Sequence, residues 1–157
     1  MDPTLSPLEN FYLMPDIFKE DDWSMAEGQL DGQPLIVRSR SALPDEADRH
    51  VFDKLIIVSW SYTANDVGMP QDEDNQQTIQ FEDAIDESLQ DQDVGYLTGC
   101  ITGNGKKEWR YYARDVDAFM SRFNLGLAGH PEYPLEIRVF QDPDWAGLSE
   151  LFPNTEH

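Results

Sequence analysis

Val94-Gly95-Tyr96-Leu97-Thr98-Gly99-Cys100-Ile101-Thr102-Gly103-Asn104-Gly105-Lys106-Lys107-Glu108-Trp109-Arg110-Tyr111-Tyr112-Ala113 is the stretch on which the fold turns. Two runs rich in β-branched and aromatic residues, 94–102 and 106–113, flank Gly103-Asn104-Gly105. Asn-Gly between such runs is the strongest short-range hairpin signal, because both residues tolerate the positive φ that a tight two-residue turn demands. A hairpin is therefore predicted here. The elements on either side settle what it belongs to.

Upstream, residues 76–90 place Phe81, Ala84, Ile85, Ser88 and Leu89 at helical spacing, with Glu82, Asp83, Asp86 and Glu87 on the other side. Before that helix, residues 63–75 read as an acidic loop holding Gly68 and Pro70. Residues 54–62, headed by Leu55-Ile56-Ile57-Val58, form a continuous apolar run that suits a central strand covered on both faces. Downstream, Asp115 is placed to cap a second helix with the stripe Val116, Phe119, Met120, Phe123 and Leu127, stopped by Gly129 and Pro131. Residues 135–140 alternate as a last strand, and Asp142-Pro143 predicts a cap with proline at the first helical position. The short helix that follows would bury Trp145, Leu148 and Phe152. Further towards the N-terminus, 23–27 and 34–40 read as strands joined at Asp31-Gly32, and 41–52 as a polar connection.

The succession is a hairpin, then β-α-β-β-α-β, then a short helix. That is an α+β fold of ferredoxin-like order, with right-handed crossovers putting both helices on one sheet face. The pattern leaves open which edge the first hairpin extends. Residues 1–22 read as a proline-rich arm carrying Leu8, Phe11, Tyr12, Leu13, Met14, Ile17 and Phe18, either strapped over the domain or docking a partner. Residues 23–157 form the expected single domain.

With these elements in place the chain resembles the bacterial family catalogued as domain of unknown function 695. The resemblance rests on Trp23, Asp31-Gly32-Gln33-Pro34, Val37-Arg38, Ile56-Ile57-Val58-Ser59 and Phe81-Glu82-Asp83-Ala84. Its densest part is Thr102-Gly103-Asn104-Gly105-Lys106-Lys107-Glu108-Trp109-Arg110-Tyr111-Tyr112, followed by Tyr133-Pro134 and Asp142-Pro143-Asp144-Trp145. It spans about residues 23–153 and leaves out the arm. It implies an α+β fold and no established activity, so no functional residue is carried over.

Charge is the main functional clue. Between Lys54 and Lys106 there is no lysine or arginine, yet Asp66, Asp72, Glu73, Asp74, Glu82, Asp83, Asp86, Glu87, Asp91 and Asp93 lie there, in a chain of formal net charge -20. Such a surface attracts basic proteins and repels nucleic-acid backbones. Glu82/Asp86 and Asp83/Glu87 are like-charged i,i+4 pairs, each costing a few tenths of a kcal/mol in an isolated helix. The helix itself carries no cation to relieve them.

The expected function is a non-enzymatic binding module that sequesters or inhibits a basic protein, in the manner of an immunity or regulator protein. Its contacts would be Asp72, Glu73, Asp74, Glu82, Asp83, Asp86 and Glu87. Carboxylates already matched by arginines of the same chain would remove that premise. The alternative is an anion-binding sensor or enzyme that uses the basic-aromatic strand, with Arg38, Arg110, Tyr112 and Arg114 converging on a ligand. A third possibility is a structural subunit assembling through an exposed edge strand.

Other chemistry has little support. Gly103-Asn104-Gly105-Lys106 is followed by a strand instead of the helix a phosphate cradle needs. Cys100, His50 and His130 have no spacing that unites them, and Ser59 and Ser61 lack nucleophile-elbow glycines. His50, His130 and His157 form no local ligand set, and Asp72-Glu73-Asp74 lacks the pattern of a calcium loop. No catalytic residue, metal or cofactor is expected. A single cysteine, no signal-like start and no apolar run of about 20 residues point to a soluble cytoplasmic protein.

Overall fold

The computed structural model describes residues 17–18, 22–90 and 92–152. Six strands, β1 (Trp23–Leu30), β2 (Gln33–Arg40), β3 (Lys54–Ser61), β4 (Gly95–Gly103), β5 (Lys106–Ala113) and β6 (Leu135–Gln141), form one sheet in the order β1-β2-β4-β5-β3-β6. Every neighbouring pair is antiparallel. Among the described residues four helices accompany it: α1 (Glu46–Val51), α2 (Asp72–Leu89), α3 (Val116–Gly126) and α4 (Ala146–Ser149). The fold is α+β, and the first hairpin extends the β4 edge.

Both predicted tight turns form for the expected reason. Asp31 and Gly32 have φ of 54° and 79°, and Asn104 and Gly105 have φ of 55° and 80°, so each two-residue loop holds successive positive-φ residues. The second turn is also packed against residues 65–69. Gly105 N–H donates to the Gly68 carbonyl at 2.9 Å, and a Cβ on Gly68 would meet Asn104 N at 2.9 Å.

The apolar run of β3 is explained by a sheet covered on both sides. Ile56, Val58 and Trp60 face α2 and α3, where they pack with Phe81, Ile85, Trp109, Tyr111, Phe119 and Phe123. Leu55 and Ile57 face the other way, towards Phe52, Tyr112, Trp145 and Leu148. Two described residues of the arm, Ile17 and Phe18, are buried in that second cluster. The remainder of the arm, residues 1–16 and 19–21, lies outside the described residues.

Several boundaries differ from the sequence expectation. Helix α2 begins at Asp72, so 72–75 is helix and not loop; Asp72, Glu73 and Asp74 occupy its first turn, where the macrodipole favours carboxylates. Helix α1 forms inside the expected polar connection although none of its residues is buried. It has Glu46 and Asp48 in the first turn and Arg49 and His50 in the last, a charge distribution that supports a helix without an apolar stripe. Pro143 is not at the first helical position. The cap residue of α4 is Trp145, in the left-handed region, while the Asp142 carboxylate reaches forward to accept from Ala146 N–H at 3.1 Å and Gly147 N–H at 2.9 Å. Asp115 caps α3 as expected, accepting from Ala118 N–H at 3.1 Å.

Candidate functional site

The sheet register assembles a polar cluster beneath α2. Arg38 on β2 lies opposite Cys100 on β4, and Cys100 lies opposite Trp109 on β5, so the three form a row across the helix-bearing face. Glu82 reaches down from α2 onto this row. Its Oε1 accepts from Arg38 Nη2 at 2.7 Å and from Trp109 Nε1 at 2.8 Å. Burial alone would raise the Glu82 carboxyl, but these hydrogen bonds and the Arg38 charge outweigh it and hold it below its ordinary range. Burial opposes the Arg38 charge too, and the carboxylate more than restores it.

Glu82 therefore does not belong to an unmatched acidic surface. The expectation that α2 goes unrelieved is corrected at this residue: the cation comes from β2, brought within reach because the first hairpin sits beside β4. Asp86, one turn further on, keeps access to solvent but stands against the same cluster. Its carboxyl is pushed up to about 6 by burial and by the charges of Glu82 and Asp83, with Arg38 and Arg40 pulling the other way.

The remaining acids diverge from this cluster. Asp72, Glu73, Asp83 and Glu87 are exposed, and none forms an ion pair among the described residues. Asp74 is half-buried and accepts from Thr63 N–H at 3.3 Å. Asp91 lies outside the described residues.

The basic-aromatic set does not come together. Arg38 is on the helix-bearing face. Arg110 and Tyr112 are on the opposite face, where Arg110 pairs with Glu108 at 2.8 Å and Glu150 at 3.0 Å and donates to the Gly147 carbonyl at 2.7 Å. Tyr112 stacks on Trp145 with centroids 3.9 Å apart and donates to Asp142 Oδ2 at 2.6 Å. Arg114 pairs with Asp93 at 2.8 Å. Each of the four is committed to an internal partner, and the sheet separates Arg38 from Arg110 and Tyr112.

Cys100 is buried and free, and burial raises its thiol. His130 Nδ1 lies 2.9 Å from Tyr133 Oη. No group of histidine, cysteine or carboxylate residues able to hold a metal occurs among the described residues. No described helix is long and apolar enough to cross a membrane.

Sequence reasoning missed a cavity of about 300 Å³ beside the first hairpin, lined by Ile17, Phe18, Asp22, Arg40, Leu43 and Asp45 among others. The Arg40 guanidinium lies 4.2 Å from the Phe18 ring centre and 4.5 Å from that of Trp23. No periodicity in the sequence links these residues, since the wall is built from the arm, β2 and the segment before α1.

These opposed charges give the cluster a defined pH response. Asp86 binds its proton more tightly in the folded state than in the unfolded chain, so its contribution to stability increases as pH falls from above about 6 towards 3.8. Glu82 behaves in the opposite sense: its contribution is full above the ordinary value of 4.5 and is lost as pH falls through its depressed folded value. The melting temperature is expected to rise from pH 7 to about 5 and to decline at lower pH. Asp86→Asn should raise the melting temperature at pH 7 and flatten the rise. A profile unchanged by that substitution would show that Asp86 is not the group responsible.

Fold and site together define an α+β protein of formal net charge -20, with an internal Arg–Glu–Trp cluster under α2 and, on the outside of that helix, exposed carboxylates that form no ion pair among the described residues. The chain belongs to a family of unknown function, DUF695, whose model matches residues 21–152. No curated protein and no solved structure matches it.

Proposed function

We propose that the chain is a non-catalytic binding module that captures a basic protein on the outer face of α2, in a reducing, cytoplasmic setting. The observation that carries this reading is the exposed set Asp72, Glu73, Asp83 and Glu87, unpaired among the described residues while the inward Glu82 is neutralised from β2. Like charges one turn apart destabilise a helix, and a cationic partner offsets that penalty. Asp86 borders this face; Asp74 and Glu82 serve the fold. The free, buried Cys100 supports the reducing setting. The order β6-β3-β5-β4, with α2 and α3 packed together, supports a ferredoxin-like reading of the core, with the first hairpin added beside β4.

Charge reversal tests the role. Affinity capture from the source cells, compared between the native chain and the triple variant Glu73→Lys, Asp83→Lys, Glu87→Lys, should give a strongly basic protein with the native chain alone. The purified pair should weaken steeply as salt rises. The variant should stay folded with only a small drop in melting temperature, because the three side chains are exposed and Glu73→Lys gives up only a favourable charge at the N-terminus of α2. A partner retained by the variant would end the proposal.

A further inference from the structure

The far edge of the sheet carries a second, independent surface. Among the described residues strand β6 is bonded to β3 alone, and its register runs without a bulge from Lys54↔Gln141 to Trp60↔Leu135. Six of its seven residues are exposed. Ile137, Val139 and Phe140 are 36%, 45% and 43% exposed. Natural edge strands are blunted by bulges, prolines, covering elements or charged side chains. This one has no bulge or proline within its length, Pro134 stands just before its start, and its two charges, Glu136 and Arg138, are of opposite sign.

Its sequence is self-complementary. In an antiparallel pair with a two-fold axis at Ile137, residue numbers opposite one another sum to a constant. Glu136 then faces Arg138, Leu135 faces Val139, and Ile137 faces itself. Sheet alternation keeps these sets separate: Leu135, Ile137 and Val139 share the face of Ile56 and Val58, while Glu136 and Arg138 share the face of Leu55 and Ile57. Two Glu–Arg contacts and a cross-strand apolar row result. Within one chain Arg138 makes a 3.7 Å approach to Glu108 and lies 5.9 Å from the Phe140 ring centre. The opposite edge offers no such match, since β1 carries Glu27 as its one charged residue and no cation.

We propose that β6 pairs with β6 of a second copy of this chain, Ile137 opposite Ile137, joining two six-stranded sheets into one. A two-fold, self-matching contact is the commonest way for identical chains to associate. The ladder is short, so the dimer should be weak and governed by protein concentration. Two copies of charge -20 repel one another, so association should strengthen between low ionic strength and about 0.15 M salt, where that repulsion is screened.

Sedimentation of the full chain over a concentration series at about 0.15 M salt tests this. A monomer–dimer equilibrium is expected. Glu136→Arg should move its midpoint upward about tenfold or more, because two attractive contacts become repulsive. Arg138→Glu should do the same, and an equimolar mixture of the two variants should recover the native midpoint, since each new charge then meets its opposite. Should Arg138→Glu unfold, hydrogen exchange decides: β6 amides of the native chain should gain protection with concentration, and those of Glu136→Arg should not. A native chain that stays monomeric throughout, a dimer indifferent to Glu136→Arg, a mixture no tighter than either variant alone, or β6 protection independent of concentration would each overturn the proposal.

Discussion

Trp145→Ala is expected to lower stability by about 3–5 kcal/mol, in the range of large aromatic truncations in a core. The indole is fully buried and lies parallel to Tyr112, 3.9 Å centroid to centroid and 9° between planes. Its Nε1 donates to the Phe52 carbonyl at 2.9 Å and to the Arg49 carbonyl at 3.2 Å, which ties the end of α1 to the start of α4. The backbone of Trp145 sits at φ 59°, ψ 38°, a left-handed conformation that costs a bulky residue roughly 1–2 kcal/mol. Packing of the ring outweighs that cost. Once the ring is gone the backbone cost remains, so Trp145→Gly should be less damaging than Trp145→Ala by up to about 1 kcal/mol. Thermal melts should show a drop of about 6–20 °C for the alanine variant, at roughly 2–4 °C per kcal/mol for a chain of this size. Equal loss in both variants would mean that the left-handed backbone is not under strain. A loss below about 1 kcal/mol in either would mean that the second core cluster does not depend on this ring.

How much of this was legible beforehand follows from the range of the interactions. The two tight turns were readable because positive φ is a property of Asp-Gly and Asn-Gly themselves. The apolar strand β3 and the stripes of α2 and α3 were readable because each element buries its own periodic residues. Helix α1 was not, since nothing in it is buried and period is blind to a helix held by its end charges. The tight cap at Trp145 was not, since it depends on a ring seated between Tyr112 and the carbonyls of residues 49 and 52.

The site was legible as composition and not as geometry. Helical spacing sets Glu82, Asp83, Asp86 and Glu87 apart from the apolar stripe, but it does not say which of them lean back over the sheet. That is decided by Arg38, whose position depends on whether the first hairpin lies beside β4 or beside β6. Beside β6, Arg38 would be separated from Trp109 by both β6 and β3, and Glu82 would lose its ion-pair partner. The same unknown hid why Arg38 is no anion-binding group: its charge is already used. Strand alternation by itself puts Trp109 on one face of β5 and Arg110 and Tyr112 on the other, and the structure extends that separation to their partners, Glu82 on one face and Glu108, Asp142 and Glu150 on the other.

Glu82→Ala should therefore destabilise the chain by about 2–4 kcal/mol, while Asp83→Lys or Glu87→Lys changes stability by no more than about 0.5 kcal/mol. Two losses combine at Glu82. The Trp109 ring is fully buried, so its N–H would be left without an acceptor, at about 1–3 kcal/mol. The Arg38 side chain is 32% exposed against 15% for Glu82, so the guanidinium can still reach water and its loss is smaller than that of a fully buried pair. Glu82→Gln separates the two contributions. The amide oxygen still accepts from Trp109, and only the charge is removed, so about half of the loss should return. Trp109→Phe keeps most of the packing and removes the donor, and combined with Glu82→Ala it should cost less than the two changes summed, because both break the same hydrogen bond. Denaturant melts of the four variants and the native chain, taken at pH 7, provide the comparison. Strict additivity would mean that Glu82 and Trp109 do not act as a unit. A neutral Glu82→Ala would return this carboxylate to the outer acidic surface, and with it the view that all of α2 is available to a partner.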